Sequence, residues 1–347
     1  MELKRIWVRL YLKCLDDDRN HYTPASLQPC PVDNGLATAY PLCHTFSSHP
    51  ALAPLVDLDL TGTLSEPHVL YHEWIVPKGM PPPPSNQLQC QYPGERIVFL
   101  IHGGGYAKFS PRTHRCVAAH LAKTCNLRLL SADYRLAPEY PFPGGLMDVI
   151  STYLALIDPT GTGSFQPADI IFCGDSAGGA LALATMMYLR DNNLPLPRAA
   201  ALMSPWVNFY CDTPSYITNQ PVDIIHPDFG NYPELSQTKY TGLALDDSRF
   251  LERCDHSYIH ILEANLAGLP HILVQYGDAD MLHDDFPIWI KRLATTVPPI
   301  DYTVEEYPDM PHIFQLFADI DVPSASQAIS KIGKFISEQF GSKPFNA

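Results

Sequence analysis

Pairing signals for cysteine are missing from this chain. Its nine cysteines form no C-x-x-C, and no asparagine opens an N-x-S/T sequon. An odd set of unpaired thiols argues against a secreted disulfide scaffold and for a reducing, cytoplasmic setting. Positive charge is also scarce. With 23 Lys and Arg against 37 Asp and Glu, the net charge is −14, which argues against nucleic acid or an anionic membrane surface as the main partner. No apolar run approaches the roughly 20 residues that a membrane span requires.

Near the N-terminus, Arg9 and Lys13 interrupt Leu3, Ile6, Trp7, Val8, Leu10 and Leu12, whereas a signal peptide needs about 7–15 unbroken apolar residues. That segment reads as a lid helix packed on the core, and its basic amphipathic pattern leaves peripheral lipid contact open. Internal repeats are absent. The glycines at 103–105 lack G-x-G-x-x-G spacing and a following Lys-Ser/Thr, so no nucleotide loop is read there, and no cofactor or metal is implied.

What is present centres on two strings, His102-Gly103-Gly104-Gly105 and Gly174-Asp175-Ser176-Ala177-Gly178-Gly179. Each follows a short apolar run, Arg96–Ile101 and Asp169–Cys173, of the kind that forms strands buried on both faces of a parallel sheet. A helix-favouring stretch, Gly179–Arg190, follows the second string. Ser176 therefore sits in a G-x-S-x-G strand-to-helix turn that exposes its hydroxyl, with a glycine loop available to stabilise an oxyanion. Side chains at positions 174 and 178 would crowd that strained turn.

Along the rest of the chain, a hairpin is predicted over about 68–77, and Pro81–Pro84 reads as a rigid linker. Helices are predicted over 111–123, 148–157, 286–294 and 324–339, and strands over 127–132, 198–203, 271–276 and 302–306. Repeated β-α pairs imply an α/β fold, a mostly parallel sheet with helices on both faces. The alternation lapses between about 204 and 269. Residues 1–65 and 207–268 are therefore expected to form a cap on a core made of 66–206 and 269–347.

A serine hydroxyl needs a base, and the base needs a carboxylate. In a fold of this kind these follow in the order Ser, acid, His. His312 follows the last predicted strand and is the only histidine after His283, so it is the expected base. The strand over 271–276 runs into Asp278, Asp280, Asp284 and Asp285, and the residues alone leave those four in competition. Tyr106, Trp206, Val207, Phe209, Ile313 and Phe314 flank these strings and suit a neutral acyl or alcohol group.

Asp133-Tyr134-Arg135-Leu136-Ala137-Pro138-Glu139-Tyr140-Pro141-Phe142-Pro143 completes a third string. With all three in order, the chain over roughly 68–340 resembles the hormone-sensitive-lipase group of α/β-hydrolases, which includes bacterial esterases and fungal steryl acetyl hydrolases. The resemblance implies an α/β-hydrolase fold with a helical cap. It selects Asp280 as the acid through Asp280-Met281-Leu282-His283-Asp284, where Met281 replaces the usual proline. It places the oxyanion hole at the amides of Gly104, Gly105 and Ala177, with Gly103 turning the loop and contributing.

Asp133, Arg135 and Glu139 are expected to form a buried structural network, His102 to brace the glycine loop, and Cys173 to be a core thiol. The residue after the family's histidine is commonly Gly; here it is Ile313. The activity implied is a serine carboxylic ester hydrolase working through Ser176, His312 and Asp280 on a small apolar ester, with short acyl groups such as acetyl. Alternatives on the same scaffold are a ligand-binding receptor, as in plant gibberellin receptors that lack the histidine, an acyltransferase, or a formamidase.

Overall fold

A computed structural model describes residues 28–46, 49–83, 87–160, 164–225, 234–320 and 322–341. The basic amphipathic segment near the N-terminus and Pro84 lie outside the described residues. The strands among the described residues are β1 (Cys30–Val32), β2 (Ala37–Phe46), β3 (His68–Pro77), β4 (Ile97–Ile101), β5 (Arg128–Ala132), β6 (Ile170–Asp175), β7 (Ala199–Met203), β8 (His271–Gly277) and β9 (Tyr302–Tyr307). They form one sheet in the order β1-β2-β3-β5-β4-β6-β7-β8-β9. The pairings from β5 through β9 are parallel, and those linking β1, β2, β3 and β5 are antiparallel.

The helices are α1 (Ala53–Val56), α2 (Arg115–Cys125), α3 (Gly144–Ile157), α4 (Ser176–Asp191), α5 (Ser215–Thr218), α6 (Glu234–Thr241), α7 (Phe250–Cys254), α8 (Asp285–Thr295) and α9 (Pro323–Phe340). No described helix is long and apolar enough to cross a membrane.

The period of two along each strand divides the core. Ile97, Phe99, Ile101, Ile170, Phe172, Leu202 and Val274 face a cluster built with α3, α4 and α8. Val98, Leu100, Ile171, Cys173, Ala201 and Leu273 face the other side, against α2 and α9. Both faces are apolar, which explains why these strands read as continuous hydrophobic runs. Helix α4 is buried along nearly its whole length, as its all-round apolar composition requires.

Three expectations change. The assignment of residues 1–65 to a cap is corrected from Cys30 onward, because β1 and β2 extend the sheet. Ala37 and Ala39 pack on one face and Leu42 and Phe46 on the other, an alternation that suits a strand. The stretch His68–Pro77 is not a hairpin but one strand, paired in register with β2 from Ala37↔Pro77 to Phe46↔His68. Helix α2 also starts at Arg115, after a turn that Pro111 opens. The three helices α5, α6 and α7 fall between β7 and β8, within the stretch expected as the inserted cap.

Candidate active site

Ser176 follows the last residue of β6 and begins α4 with φ +50°. Its neighbours are glycines for a steric reason. A Cβ at Gly174 would lie 2.6 Å from the Gly178 carbonyl oxygen, and one at Gly178 would lie 2.2 Å from the Ile101 carbonyl oxygen. The elbow is thus wedged against the end of β4, whose next residues are the glycine loop.

Gly103 lies so close to the elbow that its Cβ would meet the Asp175 carboxylate at 2.3 Å and the Ser176 Cβ at 3.0 Å. Its amide N–H donates to Asp175 Oδ1 at 3.1 Å, so the expected contribution of Gly103 to the oxyanion hole is corrected: that donor is already committed. Gly104 and Gly105 carry φ +115° and +59°, and Ala177 lies in the first turn of α4.

His102 lies under this loop with its Nδ1 2.8 Å from the Gly103 carbonyl, while the Tyr134 hydroxyl donates to the His102 carbonyl at 2.7 Å. Burial, with His114 adding to it, pushes the His102 pKa down to about 3, so His102 is a neutral brace. Motif reading did not single out His114, whose Nε2 is 3.3 Å from Asp175 Oδ2. Burial would raise the Asp175 pKa, but the charge and hydrogen bond of His114 and the Gly103 amide hold it below the ordinary value.

Of the four competing carboxylates only Asp280 meets His312, with both oxygens 3.1 Å from Nδ1. Asp278 accepts from the Asp309 amide, Asp284 from the Ser215 amide, and Asp285 from Asn208, Thr213 and Tyr216. A carboxylate only accepts, so His312 Nδ1 carries hydrogen and Nε2 is left to act as an acceptor. Burial alone would lower the His312 pKa. The charge and hydrogen bond of Asp280, with Asp223 and Asp175 adding to them, outweigh burial and raise it.

The acid and histidine loops are in direct contact, since a Cβ at Gly277 would lie 1.8 Å from the Met310 carbonyl oxygen. The serine joins them through β7. Met203 pairs with Asp175, and the next residue, Ser204, accepts the Ile313 amide at 3.3 Å on its Oγ. The Trp206 amide in turn donates to the Ser176 carbonyl at 2.9 Å. Ser176 and His312 thus flank one short segment at the C-terminal end of the parallel strands.

Tyr106, Trp206, Val207 and Phe209 lie together in the core face that carries α4. Tyr106 stacks on Trp206 at 5.4 Å and on Tyr240, a residue not anticipated, at 3.7 Å. Ile313 and Phe314 do not pack with these four. They pack in the opposite core, Phe314 against Tyr307 at 4.9 Å, because a 3₁₀ turn over Phe314–Ile320 carries the chain to the other face.

The network around Arg135 is also revised. Its partner is Asp148, by bonds of 2.8 to 3.2 Å, while Glu139 is exposed. Cys173 is a buried thiol, as expected. Among the described residues, Asp33, Cys116 and His120 could offer donor atoms to a metal ion, but His120 Nε2 already lies 2.7 Å from Asp33 Oδ2.

A family model described as alpha/beta hydrolase fold matches residues 98–316. The chain is 31% identical over 246 residues to an acetyl-hydrolase of Streptomyces hygroscopicus, covering 71% of this chain and 77% of that protein. It is 30% identical over 251 residues to an esterase of Acinetobacter venetianus, covering 72% and 77% respectively. Among solved structures, an esterase from the bacterial hormone-sensitive lipase family superposes with a TM-score of 0.67 and 27% identity, covering 98% of this chain and 99% of that one. The homologue EstE7, from a metagenome library, gives 0.65 and 30%, covering 78% and 83%. With the serine elbow, the glycine loop and the histidine–carboxylate pair at one end of a mostly parallel sheet, the chain belongs to the α/β-hydrolase fold family, in its hormone-sensitive-lipase-like group.

Proposed function

We propose that the chain is a serine carboxylic ester hydrolase acting on small apolar esters with short acyl groups. The observation that carries this reading is His312 held through Nδ1 by Asp280, which leaves Nε2 to act as an acceptor, at the same end of the sheet as a serine on a left-handed elbow. In the proposed cycle His312 takes the Ser176 proton as Oγ attacks the ester carbonyl. The amides of Gly104, Gly105 and Ala177 receive the oxyanion. The alcohol leaves with the proton from His312, and water, deprotonated by the same imidazole, releases the acid and regenerates the serine.

Short acyl groups are supported by the named acetyl-hydrolase relative, and by bulky Tyr106, Trp206 and Phe209 packed beside the elbow. The eight described cysteines are all free thiols, which supports action in a reducing compartment.

A fluorophosphonate probe should label Ser176, and Ser176→Ala should lose the label together with p-nitrophenyl acetate turnover by about 10⁵-fold or more. Turnover across a series of p-nitrophenyl esters should decline as the acyl chain lengthens. Retained turnover in the alanine variant sinks the hydrolase reading, and a rising series sinks the short-acyl part alone.

A further inference from the structure

The insertion between β7 and β8 does more than cover the sheet. At its turn before Ile224, Asp223 is wholly buried, and its two carboxylate oxygens reach into both loops that hold the histidine–acid pair. Oδ1 accepts the His312 amide at 2.9 Å and the Ile224 amide at 2.5 Å. Oδ2 accepts the Met281 amide at 2.6 Å. The residues gripped are His312 itself and the one directly after Asp280.

The same turn grips the acid loop again. Asn219 Nδ2 donates to the carbonyls of Asp278 and Asp280 at 2.9 and 2.8 Å, and the Asp223 amide returns to the Asn219 carbonyl at 2.9 Å. A buried carboxylate is costly unless its oxygens are satisfied. Here they are satisfied by backbone amides whose positions decide where Asp280 and His312 meet.

We propose that Asp223 is a positioning residue for the ester hydrolysis proposed above: it sets the register between the acid and histidine loops, so that the Asp280–His312 bond forms with Nε2 turned to Ser176. The inference rests on that catalytic reading and adds to it a residue from the inserted segment. The charged groups around Asp223 are Asp280 and His312, with Asp175 facing the imidazole from the end of β6. Burial, with Asp280 adding to it, raises the Asp223 carboxyl to about 7; in its ionised form it favours the imidazolium, so its removal moves the histidine in the opposite direction from burial relief.

The test is Asp223→Asn, which keeps one acceptor oxygen but turns an NH₂ toward an amide. Misplacement of reacting groups by this route costs about 10²-fold, so kcat should fall by about 10- to 100-fold while KM stays within about twofold. The acidic limb of kcat/KM should move to lower pH, and the low-field NMR signal of the His312 Nδ1 proton should weaken or shift. Asn219→Ala, on a partly exposed side chain, serves as a second variant should the first not fold, and a several-fold drop in kcat at constant KM is expected.

Wild-type kcat and an unmoved acidic limb in both variants overturn the positioning role. Those results stay distinct from failure of the catalytic reading, which is decided by Ser176→Ala and by probe labelling of the wild-type protein.

Discussion

At Ser176 and again at Ile313 the backbone enters the left-handed region, with φ of +50° and +45°. A β-branched residue such as Ile is strained there by about 1–3 kcal/mol. The structure thereby gives a reason for the glycine that relatives commonly place after the histidine. Here Ile313 is held by its buried side chain and by its amide bond to Ser204 Oγ. At this scale the decisive test of the histidine–acid pair is Asp280→Asn. It replaces an acceptor-only carboxylate with an amide that can also donate, which admits the wrong imidazole tautomer, and the cost should be about 10⁴ in kcat. The proposed base, His312, would be competent only when neutral, so activity should fall as pH drops through its pKa, which Asp280 raises. The acidic limb of kcat/KM in wild type should therefore lie above the ordinary histidine value of about 6.5, and it should move down in Asp280→Asn. A pH profile of each protein checks this, and coincident limbs would remove Asp280 from the reaction.

Between loops, close approach replaces side-chain chemistry as the constraint. The acid loop follows β8 and the histidine loop follows β9, and Gly277 is where they touch. Gly277→Ala would put a methyl group at 1.8 Å from the Met310 carbonyl oxygen, so a loop must move. Overpacking of this kind costs about 1–3 kcal/mol, and it displaces the His312 side of the pair. Both the melting temperature and kcat should fall, with fluorophosphonate labelling slowed in parallel; a variant with wild-type labelling would show that the contact is incidental. The parts legible in the sequence were those whose signal is local. The G-x-S-x-G turn and the glycine loop after β4 each follow an apolar strand run, and His312 is the only histidine after His283 and follows the last strand. Asp223, His114 and Tyr240 were not legible, since each acts on a partner far along the chain and stands in no patterned string. Glu139 and Phe314 show the converse: neighbours in a motif need not share a face once the chain turns.

Across the whole molecule, the sheet extends beyond its parallel part through β3, β2 and β1, and the join between β3 and β5 is sealed by buried polar groups. This was the least legible region, because small residues such as Ala37 and Ala39 carry the inward face and give no strong apolar run. His72, fully buried on β3, accepts the Asp133 amide at 2.9 Å on Nδ1, and its Nε2 lies 3.4 Å from Thr152 Oγ1. The Thr152 hydroxyl donates to the Asp148 carbonyl, so it accepts from Nε2 and the neutral tautomer is fixed. Burial, with His44 adding to it, pushes the His72 pKa down to about 3. The folded pKa lies below the unfolded value of about 6.5, so the stability linked to this group is present above that value and is lost as pH falls toward 3. Asp133 and Asp285, raised by burial to about 7 and about 6, act in the opposite direction. The net curve therefore mixes signs, and a difference measurement is needed. His72→Gln can still accept the Asp133 amide but does not titrate. Between pH 6.5 and 5 the stability advantage of wild type over this variant should shrink by about 2 kcal/mol, read from urea unfolding at each pH. Parallel curves across that window would mean that His72 takes up its proton in the folded protein, and that the join between β3 and β5 does not depend on a neutral imidazole.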